Sequence, residues 1–156
     1  MTDHVAKQVL DAAVTACTGL STTGTKVFRS RVHTMVETNL PALLIYARED
    51  AMEEEMVGMQ TDGTKGHHYL LTLSIDAIEK DVSETVAEDN LFEIRKEVQI
   101  AMEADLTLGG KCKDLWLAEA TIEERTGSGG SPVLAMLMVW QFRYRIKQGV
   151  PQTVLA

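Results

Sequence analysis

The chain has 156 residues, enough for one domain with a core of its own. Its composition, 45% hydrophobic and 24% charged, excludes wholesale disorder, and no run approaches the roughly 20 apolar residues needed to span a bilayer. With 15 Lys+Arg against 23 Asp+Glu the formal net charge is −8, the wrong sign for gripping a phosphate backbone, although an acidic wall suits a channel through which DNA slides without sticking.

In chain order, the opening MTDHVAKQVLDAAV has no basic leader followed by an uninterrupted apolar segment, so a secretory signal is not expected and the cytoplasm is the expected compartment. Ala6, Val9, Leu10, Ala13, Cys17 and Leu20 recur at three and four residues and predict a helix, with Asp3 as its cap and Gly19 and STTGT as its stop. KVFRSRVHT follows as a strand, with Val27, Arg29, Arg31 and His33 on one side. LPALLIYARED reads as an interior strand, because Leu43, Leu44, Ile45 and Tyr46 are apolar on both faces and Pro41 stands at the entry, where a missing donor does least harm. Residues 49–67 keep no period of 2 or 3.6 and predict a long acidic loop dotted with methionines.

HHYLLTLSIDAIEK alternates, with Tyr69, Leu71, Leu73, Ile75 and Ala77 on one dry face and a mostly polar face opposite. Ser83 and Glu84 then start a second helix, whose inward stripe is Ala87, Leu91, Ile94, Val98, Ala101 and Met102 and which ends near Asp105. Two strands around TGSGGS predict a closing hairpin. Its first arm sets Trp116, Ala118, Ala120 and Ile122 together; its second sets Leu134, Met136, Met138, Trp140, Phe142, Tyr144 and Ile146 on one face. Residues 147–156, with Pro151 and no periodicity, predict an irregular C-terminal arm. The order α-β-β-β-α-β-β gives an α+β fold: a mostly antiparallel sheet with two helices packed on one face, in one domain over 1–156.

No catalytic constellation emerges. The carboxylates of REDAMEEE and IEER look solvated, whereas an acid–base pair needs environments that push two pKa values apart. His67 and His68 are adjacent and point to opposite faces of a strand, and neither cysteine stands at zinc spacing, so ordinary thiols and no metal or cofactor are expected. GGKCK and GSGG fit neither phosphate-loop pattern and read as turns.

The closing strand SPVLAMLMVWQFRYR raises a different question. Its odd-numbered face has no helix left to cover it: Val133, Ala135, Leu137 and Val139 would form an exposed apolar patch continued by Gln141, Arg143 and Arg145, the pattern of a protein contact.

An N-terminal amphipathic helix, VFRSRVHTMVETNLPALLIYARED running into the acidic segment, YLLTLSIDAI, a second helix and a hairpin ending VLAMLMVWQFRYRI together resemble the tail terminator, or tail completion, proteins of long-tailed bacteriophages over nearly the whole chain. The resemblance implies a non-enzymatic virion protein, assembled in the host cytoplasm. It would form a hexameric ring at the head-proximal end of the tail, cap the tail tube, stop its polymerisation, join the head-tail connector, and let DNA pass without tight binding. The expected contact residues are Gln141, Arg143 and Arg145 on the closing strand, Glu53, Glu54, Glu55 and Met56 on the acidic segment, and Arg29 and Arg31 on the first strand. Arg143 and Arg145 would meet acids of the next subunit, setting register more than affinity. The rival readings are another neck or head-completion connector and a small α+β ligand-binding domain.

Overall fold

Side-chain alternation sets the centre of the molecule. In the computed structural model, which describes residues 2–29, 40–59, 63–81, 83–125 and 133–155 with the side chains of 54–59 excepted, β3 (Lys65–Lys80) and β5 (Val133–Lys147) run antiparallel side by side. Their pairing is unbroken from Gly66 opposite Lys147 to Lys80 opposite Val133. Leu71, Leu73, Ile75 and Ala77 therefore share a face with Met136, Met138, Trp140, Phe142 and Tyr144, and all are buried. Each large side chain removed from water on that face stabilises the fold by roughly 1.5–3 kcal/mol.

The other strands extend this pair into one six-stranded sheet. β2 (Ala42–Met59) pairs with β3, and the two-residue β1 (Val27–Phe28) lies parallel to β2. β4 (Asp114–Arg125) flanks β5 on its other side, and β6 (Val150–Val154) takes the same side of β5 beyond the start of β4. Both helices cover one face. α1 (Val5–Cys17) turns Val5, Val9, Leu10, Ala13 and Cys17 inward, and α2 (Glu84–Glu103) turns Ala87, Leu91, Ile94, Val98 and Met102 inward. The fold is thus the expected α+β arrangement in the expected order, with one strand added at the end.

The helix caps follow local chemistry. Ser83 Oγ accepts from Val86 N at the start of α2, as its sequence position predicts. At α1 the cap is His4, whose Nδ1 accepts from Ala6 N at 3.0 Å, and not Asp3, whose carboxylate is engaged by Lys7 at 2.7 Å.

Four expectations are corrected. The acidic loop over 49–67 is instead, among the described residues, the far half of β2 and the start of β3, paired as far as Met59 opposite Lys65, while residues 60–62 lie outside the described residues. From Ala47 to Met52 every residue is exposed, so both faces are wet and no apolar alternation is required; three register shifts remove what period remained. The 147–156 arm contains β6, reached through Gly149, whose φ of +82° permits the tight reversal, and Pro151 is tolerated on an edge strand. In β4 a bulge between Leu117 and Glu119 reverses the side-chain parity, so Trp116 lies with Glu119, Thr121 and Glu123 on the face away from the helices, not with Ala120 and Ile122. Finally, the Val133–Ala135 half of the closing strand's odd face is buried within the chain. Val133 and Ala135 cluster with Leu44 and Ile78, and Phe28, Leu40 and Leu137 pack against them. The first strand was expected to continue through Arg31 and His33, which lie outside the described residues.

On the helix-covered face Glu79 is an acid in a dry position, 6% exposed, accepting from its neighbour Lys80 N at 2.9 Å and from Asn90 Nδ2 at 3.4 Å. Burial raises its carboxyl above the ordinary value of 4.5 despite these bonds. The folded chain therefore holds this proton more tightly than the unfolded chain does. The group carries no penalty below its unfolded value and its full penalty once pH exceeds the folded value. Glu79→Gln should gain in Tm relative to the parent as pH rises from about 4 to 7, a trend thermal melts across that range read directly, and a constant difference would contradict it.

Candidate interaction surface

On the sheet face away from the helices, odd-numbered positions of β5 stand beside even-numbered positions of β3 and the outer positions of β2 and β4. Register places Trp116 opposite Gln141, and Asp114 and Leu70 on either side of Arg143. There Arg143 reaches over β3 to β2. Its Nε lies 3.3 and 3.0 Å from the two carboxylate oxygens of Glu53, and Nη2 donates to Oε1 at 3.2 Å. The same guanidinium stacks over the Trp116 ring, 5.5 Å from its centroid, while Trp116 Nε1 donates to Gln141 Oε1 at 3.0 Å. A fork-shaped cation matches both partners at once, which a lysine could not do.

Of the expected contact residues, the structure brings together Gln141, Arg143 and Glu53, and it brings them together inside one chain. Arg145 continues the row, paired in register with His68 and partly buried. The backbones of Glu54, Glu55 and Met56 lie in β2, with Met56 opposite His67; their side chains fall outside the described residues. Arg29 is elsewhere, bound to Asp11 of α1 at 2.8 Å, and Arg31 lies outside the described residues. Trp116 completes the cluster and was missed, because the bulge that turns it to this face leaves no mark in the alternation.

Further along the same face a second polar group is buried. Asp76, 1% exposed, accepts from Tyr46 Oη at 2.9 Å and from Ser74 Oγ, with Arg125 Nη2 at 3.5 Å. A carboxylate so placed, between Leu44 and Leu137 in register, is tolerable because these three donors reach it. On the opposite face Tyr144 donates to Asp50 Oδ2 at 2.6 Å, stacks on Tyr69 at 5.4 Å and meets His4 edge-on. Burial first, then the Asp50 carboxylate, pushes the Tyr144 phenol well above the ordinary tyrosine range. This group fastens the base of the extended β2–β3 ribbon to the start of α1.

The two cysteines are free and buried, and burial pushes each thiol up to about 12. At that value neither is a nucleophile near neutral pH. Among the described residues no group of three or more His, Cys, Asp or Glu side chains is placed to hold a metal ion.

Two sheet edges complete the surface. Among the described residues β1 pairs with β2 at Leu43 and Leu44, and no described strand flanks β4 on its outer side. Both edges carry bulges and acidic side chains, features that deter indiscriminate strand pairing.

No family model matches the chain, and no curated protein matches its sequence. Among solved structures, a chain from the "Virion of native gene transfer agent (GTA) particle" is similar over 90% of each chain at 14% identity, with a TM-score of 0.38.

Trp116→Ala and Arg143→Ala should each cost about 1 kcal/mol of stability, with the pair falling short of additivity by about 0.5–1 kcal/mol if ring and cation attract one another. Denaturant unfolding of the two variants, their combination and the parent measures this. Strict additivity would mean that the stacking contributes nothing.

Proposed function

We propose that this chain is a structural protein of a long-tailed phage particle, and within that class a tail terminator: a non-enzymatic subunit that assembles as a hexameric ring on the tail tube, ends its growth and offers the surface to which the head-side connector joins. The observation that carries the reading is the long ribbon of β2 and β3. β2 is buried from Ala42 to Ile45, then continues exposed from Ala47 to Met52 and stays paired to β3 as far as Met59. Because β5 flanks β3 as far as Gly66, this exposed half of β2 is a rim of the sheet, contributing little to the core and presenting its surface to a partner.

Its chemistry suits controlled assembly. Among the described residues no strand flanks β4 on its outer side, an edge that can accept a neighbouring strand while its acids repel chance partners. A subunit of this kind remains apart until a template supplies matching positions. A head-to-tail contact between unlike edges closes into a ring when the rotation permits. The −8 charge serves a lumen that DNA crosses without arrest.

Purified protein mixed with growing tail tubes should place a ring on one end and halt elongation, visible by electron microscopy as capped tubes of fixed length. Tubes that keep lengthening with bare ends in its presence would overturn the reading. Duplex DNA should show no tight association at physiological salt.

A further inference from the structure

Six large hydrophobic side chains are exposed among the described residues, and two of them line one hollow: Phe92 at 48% and Ile100 at 65%. The inward stripe of α2 already fills the core, so Phe92 and Ile100 are not needed there. With Arg95, Lys96, Gln99 and Glu103 they line a shallow hollow of about 400 Å³ along the outer side of the helix.

The order of charges in this hollow is self-complementary. Arg95 precedes Gln99 by four residues and Glu103 follows it by four, so at 1.5 Å per residue each stands about 6 Å from Gln99, on opposite sides. An antiparallel copy related by a two-fold axis at Gln99 meets Arg95 with Glu103 twice. We propose that this outer face of α2 is a homodimer surface, its occupant the same face of a second copy. Antiparallel helices also oppose their dipoles favourably. The present contacts of the two cations, Lys96 to Glu93 at 2.6 Å and Arg95 to Gln99 at 3.1 Å, are short-range pairs along the exposed helix and yield readily to a partner. Because it is two-fold, this contact differs from the head-to-tail contact a ring requires, and it does not involve the sheet. It pairs free subunits, or two rings face to face.

Sedimentation of the purified chain tests it, independently of any tail-capping result. The parent should show a monomer–dimer equilibrium, with Kd on the order of 10–100 µM for a single helix pair. Arg95→Glu alone and Glu103→Arg alone should each weaken it at least about ten-fold, while the combined variant should return to within about three-fold of the parent, all with unchanged circular dichroism. Gln99→Cys should form a disulfide-linked dimer on mild oxidation, since only a two-fold axis brings position 99 beside itself, and the native thiols are buried. A parent that stays monomeric, single reversals that leave the oligomer unaltered, or a combined variant that fails to recover would each overturn the proposal.

Discussion

Everything in this molecule is hung on the β3–β5 ladder. Fifteen residue pairs run without interruption, so the parity of each side chain is set along the full length of both strands. One slip of a single residue would send Trp140, Phe142 and Tyr144 to the outer face and Arg143 beneath the helices. The cost of burying an unpaired cation there, added to the loss of three aromatic side chains from the core, makes this register the only tenable one. Both helices depend on it, because their apolar stripes fit only the face it creates.

The flanking strands are less regular, and their irregularities have consequences. Bulges in β2 and β4 twist the edges and re-aim single side chains, Trp116 above all. The face away from the helices therefore becomes a mosaic: a small apolar cluster at Val133 and Ala135, a carboxylate held by donors at Asp76, and the stacked pair Arg143 and Trp116. Burial and charge on that face are balanced locally, by neighbours within the chain.

Much of this was legible in the sequence where one face is dry and the other wet. The stripes of α1 and α2 and the alternation of β3 and β5 were read residue by residue, since burial on one side imposes a period. Legibility failed wherever that asymmetry vanishes. From Ala47 to Met52 β2 is wet on both sides, so this stretch obeys no period and resembles a loop. β6 owes its conformation to hydrogen bonds with a strand already in place, which no local pattern records. The bulge in β4 inverts parity without altering composition, and the shelter found by Val133 and Ala135 comes from Leu44, Ile78, Phe28 and Leu40, residues remote in sequence. As for the candidate contacts, Gln141, Arg143 and Glu53 were expected to face a neighbouring subunit, and their meeting within one chain depends on strand register that no local pattern records.

The bond between Glu53 and Arg143 crosses over β3 and so ties three strands together at the root of the ribbon. Its mechanical effect follows from geometry. A force applied to the far end and directed along the strands must shear many hydrogen bonds at once, where an unbraced hairpin would peel open one bond at a time. With β5 flanking β3 as far as Gly66, β2 is braced along this stretch and resists being pulled away from the rest of the sheet.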